Sequence, residues 1–511
     1  MNYLVGFDIG TTSTRCILID TSGKLIASAL KEYPLDTPKP GWAQQDPDHW
    51  WEASVYTVKE VLAESKVDPG DISAIGLSGQ MHGSVFLDKD GKVIRPALLW
   101  CDQRTQEQCD TIYDTFGGED EFIRLSYNKA LTGFTAPKIL WLRQAEPENY
   151  NKLDKILLPK DYIRYKLSGV YATEVSDASG TALMDIEART WSDRIIDGLN
   201  IDKDLLPTVF ESSRVSSHIS KEAASLTGLM QGTPIVGGAG DQAGGAVGSG
   251  IIREGLISDY LGTSGVVFAH SDKPVYDPQG RLHSFSHAVE GAWHLMGVTL
   301  SAAGAYKWYY DTFGASDKIS EKYKKLKGYE LLNKQAEASS PGSKGLIFLP
   351  YLSGERTPHA DPYARGVFFG LSYLHDQGHF ARSVMEGISY SQYDCLSLMK
   401  ELGITSDKIV LFGGGARSIL WRRIISDIFR TRIVTLNVEE GPSYGAAILA
   451  GVGAGIYKNV EEATDSIIKE VSETSPNPDN VSRYAKYYEV YRSLYNSLKD
   501  NFEKLDLAGS D

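Results

Sequence analysis

Hydrophobic and polar positions alternate over the first thirty residues, and two short turns interrupt the alternation. The runs on either side of Gly10–Thr14 predict a β-hairpin, and the turn at Ser22–Gly23 leads into a third predicted strand over Lys24–Leu30. Apolar spacing further along predicts one helix and two more strands, over residues 50–64, 72–77 and 93–100. Strands that alternate with helices indicate an α/β protein.

One short pattern occurs twice in the chain. Asp8-Ile-Gly-Thr-Thr-Ser13 and Asp259-Tyr-Leu-Gly-Thr-Ser264 each lie between two apolar runs. Aligning Gly10 with Gly262 gives an offset of 262 − 10 = 252 residues, close to half of the 511. The repeat predicts an internal duplication, with two lobes that each begin with a hydroxyl-rich hairpin. Chance similarity between two common Gly-Thr turns is the alternative interpretation.

The length of the chain also requires more than one domain, because 511 residues are too many for a single hydrophobic core. Glycine is densest over residues 244–255, so we predict lobes of residues 1–247 and 248–511. Tyrosines and leucines recur at helical spacing over 484–502. This spacing predicts a last helix that packs on the chain's own second lobe.

Charge content narrows the classes of partner that we expect, and cysteine content indicates the cellular compartment. Acidic residues outnumber basic ones by 66 to 52, giving a net charge of −14, which argues against nucleic acid or an anionic membrane as the main partner. The four cysteines form no C-x-x-C pair, so we expect reduced thiols and a cytoplasmic protein. Neither a signal peptide nor a membrane span is expected. The tyrosine-rich tail leaves a homodimer open.

Two features of the sequence suggest that the protein handles phosphate. No G-x-x-x-x-G-K-[ST] pattern occurs, which excludes a P-loop site. The two hydroxyl-rich turns could instead hold the phosphates of a nucleotide between them, with Arg15 as a nearby cation. A third glycine cluster, Val410–Ser418, follows a predicted strand and could let a planar adenine ring approach closely, or could equally be a tight strand-to-helix turn.

Asp241 lies in the glycine-rich run Pro234–Gly245, at the end of an apolar strand. A carboxylate among residues without bulky side chains is well placed to meet a ligand, although it could also cap a helix. The spacing Gly238-x-Gly240-x-x-Ala243 fits a loose dinucleotide-binding pattern. We discount that interpretation because Asp241 would bring negative charge to the pyrophosphate.

Hydrogen-bonding side chains cluster at the ends of two predicted strands. Gln80-Met81-His82 follows one of them, and Trp100-Cys-Asp102-Gln-Arg104 follows the other. Planar hydrogen-bonding groups beside an indole ring suit a polyhydroxylated sugar, although an isolated His82 would more often be structural. Two pairs of histidines four residues apart lack a third ligand, and we interpret both as structural: His283 with His287, and His375 with His379.

Taken together, these motifs resemble the FGGY carbohydrate kinases, within the actin and hexokinase superfamily. The resemblance runs over nearly the whole chain and is carried by Asp8–Thr12, Thr135–Leu142, Leu349–Arg356 and Gly441–Ala447. It implies an α/β fold of two ribonuclease H-like lobes around a central cleft. The first lobe would bind the sugar and the second most of the nucleotide.

The resemblance also implies a reaction. Three segments are most similar to the family members that phosphorylate D-xylulose: Pro40–Asp46, Ser78–Gly83 and Gly297–Ala303. The implied activity is transfer of phosphate from ATP, with Mg²⁺, to the C5 hydroxyl of this ketopentose. A kinase for gluconate, ribulose or glycerol and a catalytically inactive sugar sensor are the alternatives.

Residue roles follow from the same resemblance. Asp241 would be the general base, and Asp8 and Asp241 would hold Mg²⁺. The nucleotide would contact Thr11, Thr12, Ser13, Arg15, Gly262, Thr263, Gly304, Gly414, Gly415 and Ser418. The sugar would contact Met81, His82, Trp100, Asp102 and Gln242. Closure of the lobes would expel water from between the two substrates.

Overall fold

Two mixed β-sheets, each flanked by helices, form the body of the protein. The computed structural model describes residues 2–314, 328–438 and 441–508. Within those ranges each of the two main sheets has seven strands. The chain builds one sheet from its first half and the other from its second half, as expected for two α/β lobes.

The first half contains these elements in chain order: β1 Tyr3–Ile9, β2 Ser13–Asp20, β3 Leu25–Glu32, β4 Gln44–Gln45, α1 Pro47–Ser65, β5 Ile72–Gly79, β6 Val85–Asp88, β7 Ala97–Leu98, α2 Gln106–Phe116, α3 Glu119–Ser126, α4 Thr135–Ala145, α5 Pro147–Tyr150, β8 Leu153–Leu157, α6 Pro159–Ser168, β9 Ala172–Glu174, α7 Val175–Ala178, β10 Met184–Asp185, β11 Thr190–Trp191, α8 Asp193–Gly198, β12 Thr208–Phe210, β13 Val215–His218, α9 Lys221–Thr227, β14 Pro234–Val236, β15 Ala239–Gly240 and α10 Asp241–Gly248.

The second half continues with these: β16 Ile257–Leu261, β17 Gly265–Ser271, β18 His283–Ser286, β19 Trp293–Thr299, α11 Ala303–Phe313, α12 Gly328–Ala338, β20 Ile347–Leu349, β21 Val367–Phe369, α13 Gln377–Glu401, β22 Lys408–Phe412, α14 Ile419–Phe429, β23 Arg432–Leu436, α15 Gly441–Gly453, α16 Val460–Ile467, β24 Glu470–Thr474 and α17 Pro478–Ala508.

The two sheets repeat one strand arrangement. In the first, β1 is antiparallel to β2 and parallel to β5, and β2 is antiparallel to β3. In the second, β16 is antiparallel to β17 and parallel to β22, and β17 is antiparallel to β19. The strands that begin each half therefore occupy equivalent positions, which agrees with the predicted duplication.

A helix from the second half joins the two lobes by packing on the first sheet. Helix α15 crosses β1 and β5 at two glycines, where the backbones meet directly. A Cβ atom on Gly6 would lie 1.9 Å from the carbonyl oxygen of Ser443, and one on Gly76 would lie 1.9 Å from that of Ala446. Only glycine allows this approach, so these two positions connect the halves of the chain.

Most of the predicted elements are confirmed, and one is shorter than predicted. The hairpin around Gly10, the third strand and the first helix are all present. The strand predicted over 93–100 is reduced to Ala97–Leu98, because Pro96 has no N–H to donate to a neighbouring strand. The final helix packs on α13, where the Tyr484 hydroxyl donates to Glu386 at 2.8 Å. None of the helices within the described ranges has the length and apolar character needed to cross a membrane.

Candidate active site

Three parallel strands of the first sheet end at one edge, and the predicted catalytic carboxylates lie there. Strands β1 and β15 both pair with β5, one on each side, so Asp8 is opposite Ser78 and Gly240 is opposite Gly79. Asp241 follows Gly240 directly and is the first residue of α10. Strands on either side of a shared neighbour are about 10 Å apart. Asp8 and Asp241 therefore flank the end of β5, from which Gln80–Gly83 emerges.

The second sheet supplies the opposite wall of a cleft. Parallel strands β16 and β22 end at residues 262–264 and at the 3₁₀ helix Gly414–Arg417. A cavity of about 730 Å³ separates these segments from the first sheet. It is lined from the first half by Asp8, Arg15, Asp241 and Gln242, and from the second half by Tyr260 and Gly414.

The two carboxylates in this cleft hold protons to unusually high pH. Burial, reinforced by the charge of Asp8, raises the pKa of Asp241 to about 7, although Oδ1 accepts a 2.8 Å hydrogen bond from the Gln242 N–H. Burial raises the pKa of Asp8 to about 6, and Arg15 opposes this shift. Asp241 can therefore exchange a proton near neutral pH, as a general base must.

Each of the two hairpin turns is closed by a backbone hydrogen bond. The N–H of Gly10 donates to the Ser13 carbonyl at 2.9 Å, and the N–H of Gly262 donates to the Ser264 carbonyl at 3.1 Å. These bonds close both turns and leave Thr12 and Thr263, one in each turn, exposed. Gly304 supports the second turn, because its N–H donates to the Thr263 carbonyl at 3.2 Å. Both turns can present hydroxyl and amide donors to an anion.

His82 is held rigidly beside the end of β5. Its φ of 68° lies in the left-handed region, which non-glycine residues rarely adopt, and its ring stacks on Phe134 with centroids 4.4 Å apart. The Nδ1 atom lies 2.6 Å from the carbonyl oxygen of Gly180. Burial lowers the pKa of His82 to about 3, so the ring is neutral at physiological pH. His82 can orient a hydroxyl group but cannot supply a positive charge.

Trp100 is linked by hydrogen bonds to the first turn and to the end of β5. Its indole Nε1–H donates to Thr11 Oγ1 at 2.9 Å, and that hydroxyl donates to Gln80 Oε1 at 3.2 Å. Asp102 differs, because its carboxylate is fully buried and already accepts hydrogen bonds from the chain. The Ala43 N–H and the Arg104 guanidinium both lie 2.7 Å from Asp102 Oδ2. This geometry makes Asp102 an anchor for its loop.

In the third glycine cluster, Gly413 and Gly414 line the cavity, whereas Gly415 is buried. Gly414 is exposed, with space around its Cα, whereas a Cβ atom on the buried Gly415 would lie 3.0 Å from Leu261 Cβ. Ser418 caps α14 by accepting a hydrogen bond from the Trp421 N–H at 3.3 Å. Gly414 can therefore meet a ligand, while its neighbours shape the turn.

Comparison with known proteins shows to which family this chain belongs. The model of the FGGY family of carbohydrate kinases, N-terminal domain, matches residues 3–248, and the model of the C-terminal domain matches residues 260–454. The chain belongs to the FGGY family of carbohydrate kinases. The predicted family and the predicted two-lobed, actin/hexokinase-type α/β fold are confirmed. The division at residues 247 and 248 stays a prediction.

Individual relatives of this FGGY kinase are similar over their full length. A xylulose kinase from Lactococcus lactis is 41% identical over 509 residues, 98% of each chain. The solved structure of a ligand-bound xylulose kinase from Lactobacillus acidophilus has a TM-score of 0.92 at 28% identity and covers 99% of this chain and 100% of its own. A gluconate kinase from the same organism has a TM-score of 0.91 at 28% identity and covers 99% of both chains.

Several residues that line the cleft of this FGGY kinase were not predicted from the sequence, and Tyr260 is one of them. Tyr260 lines the cavity from the second lobe, and burial together with the charges of Asp241 and Asp8 raises its pKa. The signal was present in the repeat, since the offset of 252 residues that aligns Gly10 with Gly262 also aligns Asp8 with Tyr260. Equivalent strand positions in the two lobes thus direct a carboxylate and a phenol into one cleft.

Proposed function

We propose that this FGGY kinase transfers the γ-phosphoryl group of ATP to the C5 hydroxyl of D-xylulose. The observation that carries the proposal is the 41% identity to a xylulose kinase over 98% of both chains. Backbone similarity alone does not choose the sugar, because a xylulose kinase and a gluconate kinase superpose almost equally well, with TM-scores of 0.92 and 0.91.

Asp241 serves as the general base in this proposal. Its carboxylate accepts the proton of the sugar hydroxyl as that oxygen forms a bond to the γ-phosphorus. The bond from the γ-phosphorus to its bridging oxygen breaks, and ADP leaves with that electron pair. A pKa of about 7 suits the role, because the carboxylate is charged often enough to act and basic enough to hold the proton.

The carboxylates in the cleft fit a divalent cation. Asp8 Oδ1 is buried and accepts no hydrogen bond from any described residue. Carboxylate oxygens are the ligands that Mg²⁺ prefers, so Asp8 and Asp241 would hold it. Bound there, Mg²⁺ would neutralise charge on the transferring phosphoryl group.

The remaining predicted residues divide between the two substrates. The turns at Thr12 and Thr263 hold the phosphates through hydroxyl and amide donors, and Gly414 lies against the adenosine. Met81, His82, Trp100, Asp102 and Gln242 bind or orient the sugar, Asp102 by anchoring its loop. In-line positioning of the two substrates supplies much of the rate for a loose phosphoryl-transfer transition state.

We also place the protein in the cytoplasm as a soluble enzyme. All four cysteines are free thiols: Cys16, Cys101, Cys109 and Cys395. Assembly as a homodimer remains a prediction, which sedimentation velocity of the purified chain would check.

A panel of acceptors tests the proposed function. ADP release with Mg²⁺ is measured on D-xylulose, D-ribulose, gluconate and glycerol, and kcat/KM is expected to be at least about tenfold higher on D-xylulose. A preference for gluconate or glycerol would overturn the substrate assignment. Binding of D-xylulose without ADP release would instead indicate a sugar sensor.

A pair of variants tests the base. Asp241→Asn is expected to lower kcat by about 10²–10⁴-fold while D-xylulose still binds. Asp394→Asn is the matched control, since Asp394 is another buried carboxyl with a pKa raised to about 7, but it lies on α13 outside the cavity. Near-normal turnover by Asp241→Asn would contradict the assignment.

A further inference from the structure

A buried ionic cluster lies behind the turn that leads into Asp241. It contains two cations and three carboxylates whose side chains are fully buried: Lys160, Arg164, Asp161, Glu174 and Asp177. Lys160 Nζ is 2.8 Å from Asp161 Oδ1 and 3.1 Å from Asp177 Oδ2. Desolvation of five charges offsets most of their mutual attraction, so stability alone does not account for such a cluster.

The cluster is bonded directly to the turn at residues 237–240. Arg164 Nη2 donates to the carbonyl oxygen of Gly237 at 2.5 Å. At the other end of the turn, the N–H of Gly240 donates to Ser176 Oγ at 3.1 Å. The two bonds hold both ends of the backbone segment that delivers Asp241 to the cleft.

Glu174 organises the second of these bonds. The Ser176 hydroxyl that accepts from Gly240 donates in turn to Glu174 Oε1 at 3.0 Å. Glu174 Oε2 accepts from the Ser212 hydroxyl at 2.7 Å, and the Ser212 carbonyl accepts from the N–H of Gly238 at 2.8 Å. The Glu174 carboxylate thus accepts hydrogen bonds from both serines, Ser176 and Ser212, that accept backbone hydrogen bonds from the turn.

The segment that carries these residues also reaches the sugar side of the cleft. Gly180, four residues after Ser176, accepts the hydrogen bond of His82 Nδ1 at 2.6 Å. Met81 lies between this segment and the turn, since a Cβ atom on Gly180 would be 3.0 Å from Met81 Cε and one on Gly240 would be 2.8 Å from Met81 Cγ. Residues 174–181 therefore touch the turn before the base and two predicted sugar-binding residues.

We propose that Ser176 and Glu174 are positioning residues for the kinase reaction. Ser176 Oγ, oriented by Glu174, fixes the N–H of Gly240 and thereby the position of the Asp241 carboxylate relative to the sugar hydroxyl. The proposal rests on the proposed function, because it takes Asp241 as the base. A displacement of about 1 Å at a reacting group can cost about 10²-fold in rate, so one hydrogen bond to the preceding residue matters.

The test is a kinetic comparison of variants of the full chain. Ser176→Ala is expected to lower kcat by about tenfold or more while KM for D-xylulose and for ATP changes less than about threefold. Ser176→Thr keeps the hydroxyl and is expected to recover most of the loss. Ser54→Ala is the matched control, because Ser54 is a buried serine on α1 whose hydroxyl donates to the Trp50 carbonyl at 2.7 Å, and its kcat should stay at the wild-type value.

A second variant covers the case in which Ser176→Ala does not fold. Ser212→Ala removes one hydrogen bond to Glu174 Oε2, which still accepts from the Ser176 N–H at 2.7 Å, and it leaves the bond from Gly240 to Ser176. It is expected to lower kcat severalfold with KM unchanged. Thermal unfolding of every variant shows whether the native state is retained.

Three results would overturn the proposal. These are a kcat for Ser176→Ala within about twofold of the wild type, an equal loss in Ser54→Ala, or a rise in KM alone. Whether the proposed function itself fails is judged separately, from ADP release by the wild type on the acceptor panel. If the wild type prefers another acceptor, the same comparison is made on that acceptor, and a wild type without kinase activity overturns both proposals.

Discussion

The burial that suits Asp241 to accept a proton also lowers the free energy of unfolding of the protein. Replacement by asparagine removes the charge, so the loss of catalysis and the gain in stability can be measured separately. Burial and the charge of Asp8 raise the pKa of Asp241 from 3.8 to about 7. The native state therefore keeps the proton to a higher pH than the unfolded chain does. By linkage, this carboxyl lowers the free energy of unfolding of the wild type progressively as pH rises from about 4 through 7.

The structure sets the size of this cost. A pKa raised from 3.8 to about 7 disfavours the charged carboxylate by about 4 kcal/mol at high pH. Asp241 lines an open cleft and is only partly buried, so solvent reduces the cost to about 1–3 kcal/mol. Asparagine has the same shape and no charge. We expect Asp241→Asn to be more stable than the wild type by that amount at about pH 8, and by much less near pH 4.

Urea denaturation followed by tryptophan fluorescence measures the difference at about pH 5 and pH 8. The expected result is a higher midpoint for Asp241→Asn at the higher pH, together with the loss of turnover predicted for removal of the base. If the variant were less stable than the wild type at pH 8, or if the difference were the same at both pH values, the inference that Asp241 is a desolvated, proton-holding carboxyl would be refuted.

Three further substitutions test other parts of the structure. Gly76→Ala puts a Cβ atom 1.9 Å from the Ala446 carbonyl oxygen and should lower the free energy of unfolding by about 3 kcal/mol. Denaturant titrations measure this change, and an unchanged midpoint would contradict the close contact. Thr263→Ala removes an exposed hydroxyl from the second turn and should raise KM for ATP about tenfold in initial-rate assays, whereas an unchanged KM would remove that hydroxyl from the phosphate site. Trp100→Phe keeps an aromatic ring but loses the bond to Thr11, and kcat/KM for D-xylulose should fall about fivefold; wild-type kinetics would show that this link is dispensable.

Much of the fold followed from local sequence patterns, whereas the central pair of the site followed from the family resemblance. Turn residues and alternation located the hairpin at Gly10 and its copy at Gly262, because such signals act over a few residues. Local patterns placed Asp241 at the end of a strand and Asp8 in the first hairpin, but only the family resemblance implied that the two carboxylates act together. In the structure they lie at the same edge of the first sheet, because β1 and β15 are both parallel to β5.

Features that depend on long-range packing could not be predicted from local sequence patterns. Lys160 and Arg164 belong to a charged helix that would ordinarily face solvent, and only the tertiary fold shows that both are fully buried. Asp102 resembled a sugar ligand by its neighbours. Arg104, two residues further on, occupies its carboxylate, and this pairing depends on a loop conformation that the sequence does not specify.

The two halves of the repeat differ at one pair of strand positions near the cleft. The offset of 252 residues aligns Gly6 with Ser258, and the strand partners of these two residues are Gly76 and Val410. In the first sheet the paired glycines let α15 contact the backbone directly. In the second sheet the equivalent positions carry the side chains of Ser258 and Val410, and Ser258 lines the cavity of about 730 Å³ together with Gly245 and Ala246 of α10. The two lobes therefore share one strand arrangement but differ at this pair of positions. A helix contacts the backbone directly at the glycines of the first sheet, whereas the cleft lies against the equivalent strand of the second sheet.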